Sequence, residues 1–143
     1  MTIPARINIV TLGVEDVARA AEFYEALGWQ RSTASMEEIV WFKTTGSILG
    51  LFGWRALAED AHLPAEPKTA FGGITLAINV ESEEAVDAAL EAAARAGGTI
   101  IKPAERADWG GYSGYFTDPD GHAWEVARNP GFPFKADGTL DMP

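Results

Sequence analysis

Hydrophobic and polar positions change their spacing along the chain in a recognisable order, beginning with a strand and then a helix. The run INIVTLGV at 7–14 is rich in β-branched residues and has the length of a strand. The segment EDVARAAEFYEAL at 15–27 then places apolar side chains at helical spacing, namely Val17, Ala20, Ala21, Tyr24 and Leu27. Asp16 can cap this helix, because its carboxylate can accept the free amides of the first turn, and Gly28 can end it.

Further strand-like runs complete the first half of the chain. EEIVWFKT at 37–44 and GSILGLF at 46–52 alternate as strands and share the turn TTG, while WQRSTAS at 29–35 is a weaker strand candidate. From 53 to 70 the β pattern stops. A short helix over residues 55–61 and a proline-containing connector are predicted there.

The second half repeats this order. GGITLAINV at 72–80 predicts a strand, Ser82 caps a helix over 83–96, and Gly97 and Gly98 end that helix. TIIKP at 99–103 predicts another strand, and GYFTDPDGHAWEVARNP at 114–130 predicts a closing β-hairpin. Each half therefore contains one strand, one helix and three further strands.

Short matches between the halves support an internal repeat. Residues 14–16 match 80–82 at an offset of 66, and residues 46–52 match 121–127 at an offset of 75. We therefore predict an α+β fold of two βαβββ modules, whose curved mixed sheets surround a cavity. A single domain over 1–143 would comprise a first module at 6–53, a connector at 54–70, a second module at 71–130 and a tail at 131–143.

Composition restricts the partners and the environment. The 143 residues are 47% hydrophobic, enough for one domain with its own core, and the net charge of -10 opposes binding to nucleic acid or an anionic membrane. The amino terminus lacks a basic leader, and no run approaches the roughly 20 apolar residues that span a bilayer. The absence of cysteine excludes disulfides and thiol nucleophiles. We expect a cytoplasmic protein.

The run VTLGVEDVARAAEFYEALGW, the repeated βαβββ order and the segment DPDGHAWEV together resemble the vicinal oxygen chelate superfamily, which includes glyoxalase I, extradiol dioxygenases and bleomycin-resistance proteins. The resemblance extends from residue 6 to residue 130. It implies two curved sheets, each closing round a cavity that dimerisation often completes, so we expect a homodimer. It also implies that many members hold a divalent metal with four side chains, one from the first and one from the last strand of each module.

The four positions that correspond to those ligands argue against such a metal in this chain. They are occupied by Ile9, Gly50, Thr75 and Glu125, and only the last is a normal metal ligand. Zinc and catalytic transition metals need three or four protein donors, which a lone carboxylate does not supply. We therefore predict no metal and no other cofactor.

The hairpin that contains Glu125 has ordinary turn chemistry at its corner. Residues 118–121, Asp-Pro-Asp-Gly, suit a turn, and His122 follows it near the rim of the sheet. Alternation places Trp124 and Val126 on the apolar face and Glu125 on the concave face. In the absence of a bulge, the expected register sets Gly114 opposite Glu125 and Phe116 opposite Ala123.

The candidate ligand-binding residues combine this carboxylate with aromatic and small polar side chains, because pockets are generally apolar with a few placed polar groups. They are Ile9, Thr11, Trp41, Phe52, Thr75, Asn79, Tyr112, Phe116 and Glu125, with Trp54 and Trp109 bordering from loops. Partial burial would disfavour the charged form of Glu125, which is the candidate catalytic acid or base. Alternatively, it orients a ligand amine or hydroxyl, or is simply satisfied by neighbouring polar groups.

Three classes of function remain from the sequence. The first is a metal-free cavity protein that binds a small apolar or aromatic molecule. The second is a lyase, isomerase or other enzyme of the superfamily that uses Glu125 with or without an unconventional metal. The third is a subunit that joins another protein. Three absent ligands and the lack of an obvious basic cluster disfavour a glutathione-dependent glyoxalase.

Overall fold

The computed structural model describes residues 3, 5–66 and 71–142. The end of the predicted connector, residues 67–70, and the chain-end residues 1, 2, 4 and 143 lie outside the described residues.

The repeated order of elements is confirmed. In the first module, strand β1 (Ile9–Val14) precedes helix α1 (Val17–Ala26), followed by the strands β2 (Gln30–Arg31), β3 (Ile39–Lys43) and β4 (Ile48–Gly53). Helix α2 (Trp54–Asp60) leads into the connector. The second module contains β5 (Leu76–Asn79), α3 (Glu83–Arg95), β6 (Thr99–Arg106), β7 (Tyr112–Thr117) and β8 (Ala123–Arg128).

Each module forms one four-stranded mixed sheet that does not close into a barrel. The strand orders are β1-β4-β3-β2 and β5-β8-β7-β6, so the two sheets have the same topology. The first and last strands of each module pair in parallel, and the other neighbours are antiparallel. The fold is α+β, as the sequence predicts.

The predicted caps define the helix starts. Asp16 accepts a hydrogen bond from the Arg19 amide at 3.0 Å, and Ser82 accepts one from the Ala85 amide at 3.1 Å. Each bond satisfies a donor that has no partner within its helix. Gly28 follows the end of α1 with a φ of 92°, a conformation that glycine adopts without steric cost.

One core joins the two modules. We call the sheet faces that turn toward α1 and α3 the inner faces. Tyr24 of α1 lies between them, with ring centroids 5.8 Å from Phe42 of the first sheet and 6.0 Å from Trp124 of the second. Phe23 similarly reaches Phe116 at 6.2 Å. The inner faces therefore share one apolar cluster around the helices.

The opposite faces, which we call the outer faces, consequently point away from the shared core. Strand alternation places every second side chain on the side of the sheet away from the shared core. A cavity on an outer face therefore lies on the side of its sheet away from the shared core. No helix in the described part of the chain is long and apolar enough to cross a membrane.

Candidate functional site

The outer face of the first module is aromatic and partly covered. Thr11, Gly50 and Trp41 lie side by side on β1, β4 and β3, where Gly50 pairs with both neighbours. Phe52 follows on the same face of β4. Trp54 of α2 covers the end of β1, because a side-chain carbon added at Gly13 would lie 3.0 Å from its ring. The structure thus brings together four of the predicted ligand-binding residues.

The outer face of the second module carries the lone carboxylate. Glu125 is partly buried on β8, between Ala77 of β5 and Tyr115 of β7. Along β8, its neighbours on the same face are Ala123 and Ala127, which leave space around the carboxylate. Asn79 follows Ala77 on the same face of β5.

The predicted hairpin register is wrong by one residue. Tyr115 pairs with Glu125, and Thr117 pairs with Ala123, because the turn contains five residues and is closed by the Asp118 amide donating to the His122 carbonyl at 3.0 Å. The correction moves every β7 side chain to the opposite face, as the two-residue period of a strand requires.

Phe116 and Tyr112 therefore lie on the inner face, and their predicted place beside Glu125 is wrong. Phe116 is buried and stacks on Trp124, with a centroid separation of 6.2 Å and an interplanar angle of 4°. The Tyr112 hydroxyl donates to Asp87 of α3 at 2.7 Å. Tyr115, absent from the sequence-based set, takes the place that corresponds to Trp41 of the first module.

Three other predicted residues lie at exposed positions in the single chain. Ile9 begins β1 with 52% of its surface exposed, and Thr75 is exposed immediately before β5. Trp109 lies in the loop between β6 and β7 with 55% exposed, and its ring covers Gly111. These side chains do not converge with the others on one cavity within a single chain.

The residues at the four family ligand positions do not fit a metal ion. A side-chain carbon added at Gly50 would lie 3.1 Å from the Thr11 hydroxyl and 3.3 Å from the Trp41 ring, so neighbours already occupy this space. Ile9 and Thr75 offer no ionisable donor. Within the described residues, no three His, Cys, Asp or Glu side chains are grouped closely enough to hold a metal.

The Asp118–His122 turn connects the two modules. His122 Nε2 lies 2.8 Å from the Gly13 carbonyl oxygen, to which it can donate. Asp120 accepts the Glu15 amide at 2.9 Å, and its carboxylate lies 3.6 Å from the Arg19 guanidinium. The sequence indicated the turn itself, but this docking depends on how the modules pack.

A buried polar chain lies behind that turn. The Tyr24 hydroxyl donates to Asp118 at 2.7 Å and accepts from the Trp124 indole at 3.2 Å. Asp118 is only 3% exposed and also accepts the Asp120 and His122 amides. Burial, followed by the charge of Asp118 and its hydrogen bond, raises the pKa of Tyr24 far above its usual range. Tyr24 is therefore a neutral hydrogen-bond donor at physiological pH.

A cleft of about 780 Å³ separates the modules at their other junction. Its walls include Trp29 and Leu49 from the first module and Leu76 and Trp124 from the second. Residues 134–140 of the tail form its remaining side, where Phe134 bridges to Leu140. Of the predicted ligand-binding residues, only Asn79 lines it. Periodicity within each module gave no signal for this cleft, because it depends on the packing between modules.

Comparisons with known proteins agree with the fold. A family model described as the Glyoxalase/Bleomycin resistance protein/Dioxygenase superfamily matches residues 6–126. The structure of a glyoxalase-related enzyme from Fulvimarina pelagi is 34% identical with a TM-score of 0.87, and the match covers 97% of this chain and 99% of that chain. A search of curated proteins found no match.

Two more distant structures support the fold alone. A glyoxalase/bleomycin resistance protein/dioxygenase family enzyme from Burkholderia phytofirmans PsJN is 22% identical with a TM-score of 0.78, covering 87% of this chain and 98% of that chain. A lactoylglutathione lyase from Agrobacterium tumefaciens is 24% identical with a TM-score of 0.66, and the match covers 89% of this chain and 96% of that chain.

Proposed function

The chain belongs to the glyoxalase/bleomycin resistance protein/dioxygenase superfamily, and on that premise we propose that it binds a small apolar or aromatic molecule, without a metal, in a cavity that two copies complete. The observation that supports this proposal is that the aromatic surface and the carboxylate lie on different sheets. Trp41 and Phe52 lie on one outer face, whereas Glu125 and Tyr115 lie on the other. In a dimer, the outer face with Trp41 and Phe52 in one copy can lie against the outer face with Glu125 in the other.

Free strand edges and apolar side chains support this pairing of copies. In the two described sheets, β1 and β5 are edge strands, and each pairs with a neighbour on one side only. Exposed apolar residues accompany both edges, including Ile9 at β1 and Ile74, 71% exposed, before β5. Unprotected strand edges and contiguous apolar surface are typical of association sites. We propose that β1 of one copy lies beside β5 of the other.

The composition of the two faces supports the ligand class. Trp41 fills the space above Gly50 and offers an aromatic surface, and Thr11 adds a hydroxyl beside it. Glu125 offers a carboxylate above a floor of alanines. Such a cavity favours an aromatic body with one amine or hydroxyl, because the carboxylate can accept from that donor. Glu125 orients the ligand in this proposal.

The test uses 2-phenylethylamine as a probe and isothermal titration calorimetry as the readout. Glu125→Gln and Trp41→Ala should each weaken binding about fivefold or more, because a charge-assisted hydrogen bond or a stacking surface is lost. Glu91→Gln is the matched control: it makes the same chemical change on the exposed surface of α3. Unchanged affinity in both Glu125→Gln and Trp41→Ala would overturn the proposal.

Catalysis by Glu125 is the second candidate. The observation that favours it is the 34% identity to a structure described as a glyoxalase-related enzyme. A partly buried carboxylate can act as a general base or acid on a bound molecule. In that case Glu125→Gln would abolish turnover of the bound molecule while Trp41→Ala would mainly raise KM. Equal turnover by wild type and Glu125→Gln would exclude this role.

A further inference from the structure

Corresponding segments of the repeat form the two junctions between the modules, but the contacts at the two junctions differ. The offset of 75 relates the Asp118–His122 turn to residues 43–47, and the offset of 66 relates Gly13 to Asn79. At the first junction, His122 reaches the Gly13 carbonyl and closes the gap. At the second, the corresponding Ser47 hydroxyl donates instead to Ile7 of its own module, at 2.7 Å. The missing cross-module bond leaves the second junction open as the cleft.

One part of the cleft is apolar and aromatic. Trp29 and Trp124 meet edge to face there, with ring centroids 5.5 Å apart and an interplanar angle of 79°. Leu76 and Ile78 of β5 form the facing wall, and Leu140 of the tail lies at the same opening. A volume of about 780 Å³ falls within the range of roughly 300–1,000 Å³ that small-molecule sites occupy.

The charge of the lining is opposite to that of the whole chain. The sequence has 21 acidic and 11 basic residues, yet no Asp or Glu occurs among the described residues that line the cleft. Lys43 is the single charged residue in this lining, at the end of β3 beside the turn. Thr44, next to Lys43 in the chain, and Asn79 of β5 add neutral hydrogen-bonding groups to the lining. An anion is therefore favoured at this end of the cleft over a cation.

We propose that the cleft is a second binding site, for a small molecule with an aromatic or apolar body and one carboxylate. The body packs against Trp29 and Trp124, and the carboxylate pairs with Lys43. The site lies within one chain, and residues from both faces of the sheets line it. Lys43 and Asn79 belong to the outer faces, whereas Leu76 and Trp124 belong to the inner faces. Its aromatic wall of Trp29 and Trp124 is separate from Trp41 and Phe52, which do not line the cleft. The open junction, its volume and its charge are the observations that support it.

The experiment compares 2-naphthoate with its neutral analogue 2-naphthamide. Spectra of the ¹⁵N-labelled indole groups are recorded during each titration, with the five tryptophan signals assigned by Trp→Phe variants. Naphthoate should shift the Trp29 and Trp124 signals, and should bind about fivefold or more tightly than naphthamide, as expected for one charge-assisted contact. Trp41 reports separately on the outer face, so failure here is distinguishable from failure of the proposed function.

Two variants test the role of charge. Lys43→Gln should reduce the preference for naphthoate to within about twofold. Lys102→Gln makes the same change on β6, away from the cleft, and should keep the preference. The proposal would be overturned if naphthoate shifted only the Trp41 signal or no indole signal. It would also be overturned if Lys43→Gln still preferred naphthoate over naphthamide to the same extent. Naphthoate binding that weakens as the protein concentration rises and dimers form would also overturn it, because a second copy of the chain would then fill the cleft.

Discussion

At the scale of single residues, Tyr24 contacts both sheets and the Asp118–His122 turn, and its position in the sequence indicated neither contact. Helical spacing identified it as an apolar position of α1, and its ring does pack between both sheets. Its hydroxyl, however, belongs to a buried chain with Asp118 and Trp124. The partners are 94 and 100 residues away in sequence, so local periodicity could not predict them.

Tyr24→Phe should lower the free energy of unfolding by about 1–3 kcal/mol, because a buried carboxylate oxygen and an indole N–H each lose a partner. Urea denaturation measures the change. Tyr115→Phe is the control, since Tyr115 lies on an outer face outside the core, and it should cost less than about 0.5 kcal/mol. Equal effects of the two changes would contradict the assigned role of the Tyr24 hydroxyl.

Tyr24 also predicts how stability depends on alkaline pH. Its pKa is raised in the folded state above the ordinary value of 10.0, mainly by burial. The stabilising contribution is therefore complete below pH 10 and declines above it, since the unfolded chain releases the proton first. The slope approaches about -1.4 kcal/mol per pH unit for this one group. Urea denaturation between pH 9 and roughly pH 11 should show a steeper fall for wild type than for Tyr24→Phe, and parallel curves would contradict this.

At the scale of elements, the sequence was informative about the strands, helices and caps, and less so about register. Asp16 and Ser82 cap the helices as predicted because capping is a local interaction. The β7–β8 register differed by one residue because Asp118 and His122 close a five-residue turn. Because of this one-residue difference, Tyr115 lies beside Glu125, where the sequence predicted Phe116.

The turn from Asp118 to His122 is expected to stabilise the packing of one module on the other. His122→Ala should lower the free energy of unfolding by about 1–2 kcal/mol, because the buried Gly13 carbonyl loses its donor. Ser47→Ala, at the corresponding position of the first module, breaks an exposed bond within one module and should cost less. Thermal denaturation compares the two variants, and a larger loss for Ser47→Ala would contradict this assignment.

At the scale of the whole molecule, the outer faces explain why the candidate site is incomplete in one chain. The resemblance predicted the two-module fold, and the fold is confirmed. It did not reveal that the shared core leaves Trp41 and Glu125 on the outer faces of two different sheets. Sequence patterns within a module report which face a residue occupies, but not the direction in which that face points after the modules pack.

We therefore expect two copies to associate through the β5 edge. Ile74→Asp should weaken self-association about tenfold or more, because a charge would replace an exposed apolar contact at the β5 edge. Sedimentation equilibrium measures this change. Ile101→Asp is the matched control, since Ile101 is also exposed but lies on β6, the opposite edge strand of the same sheet. Equal weakening by both changes would argue against the β5 edge as the contact.

Native mass spectrometry of protein purified without chelator tests whether two copies complete a cavity that needs no metal. We expect a dimer that carries no stoichiometric metal and binds 2-phenylethylamine. The Glu125→Gln variant should bind about fivefold or more weakly to the same amine. A monomer that binds the amine equally well, or a chain carrying one equivalent of a divalent metal, would contradict it.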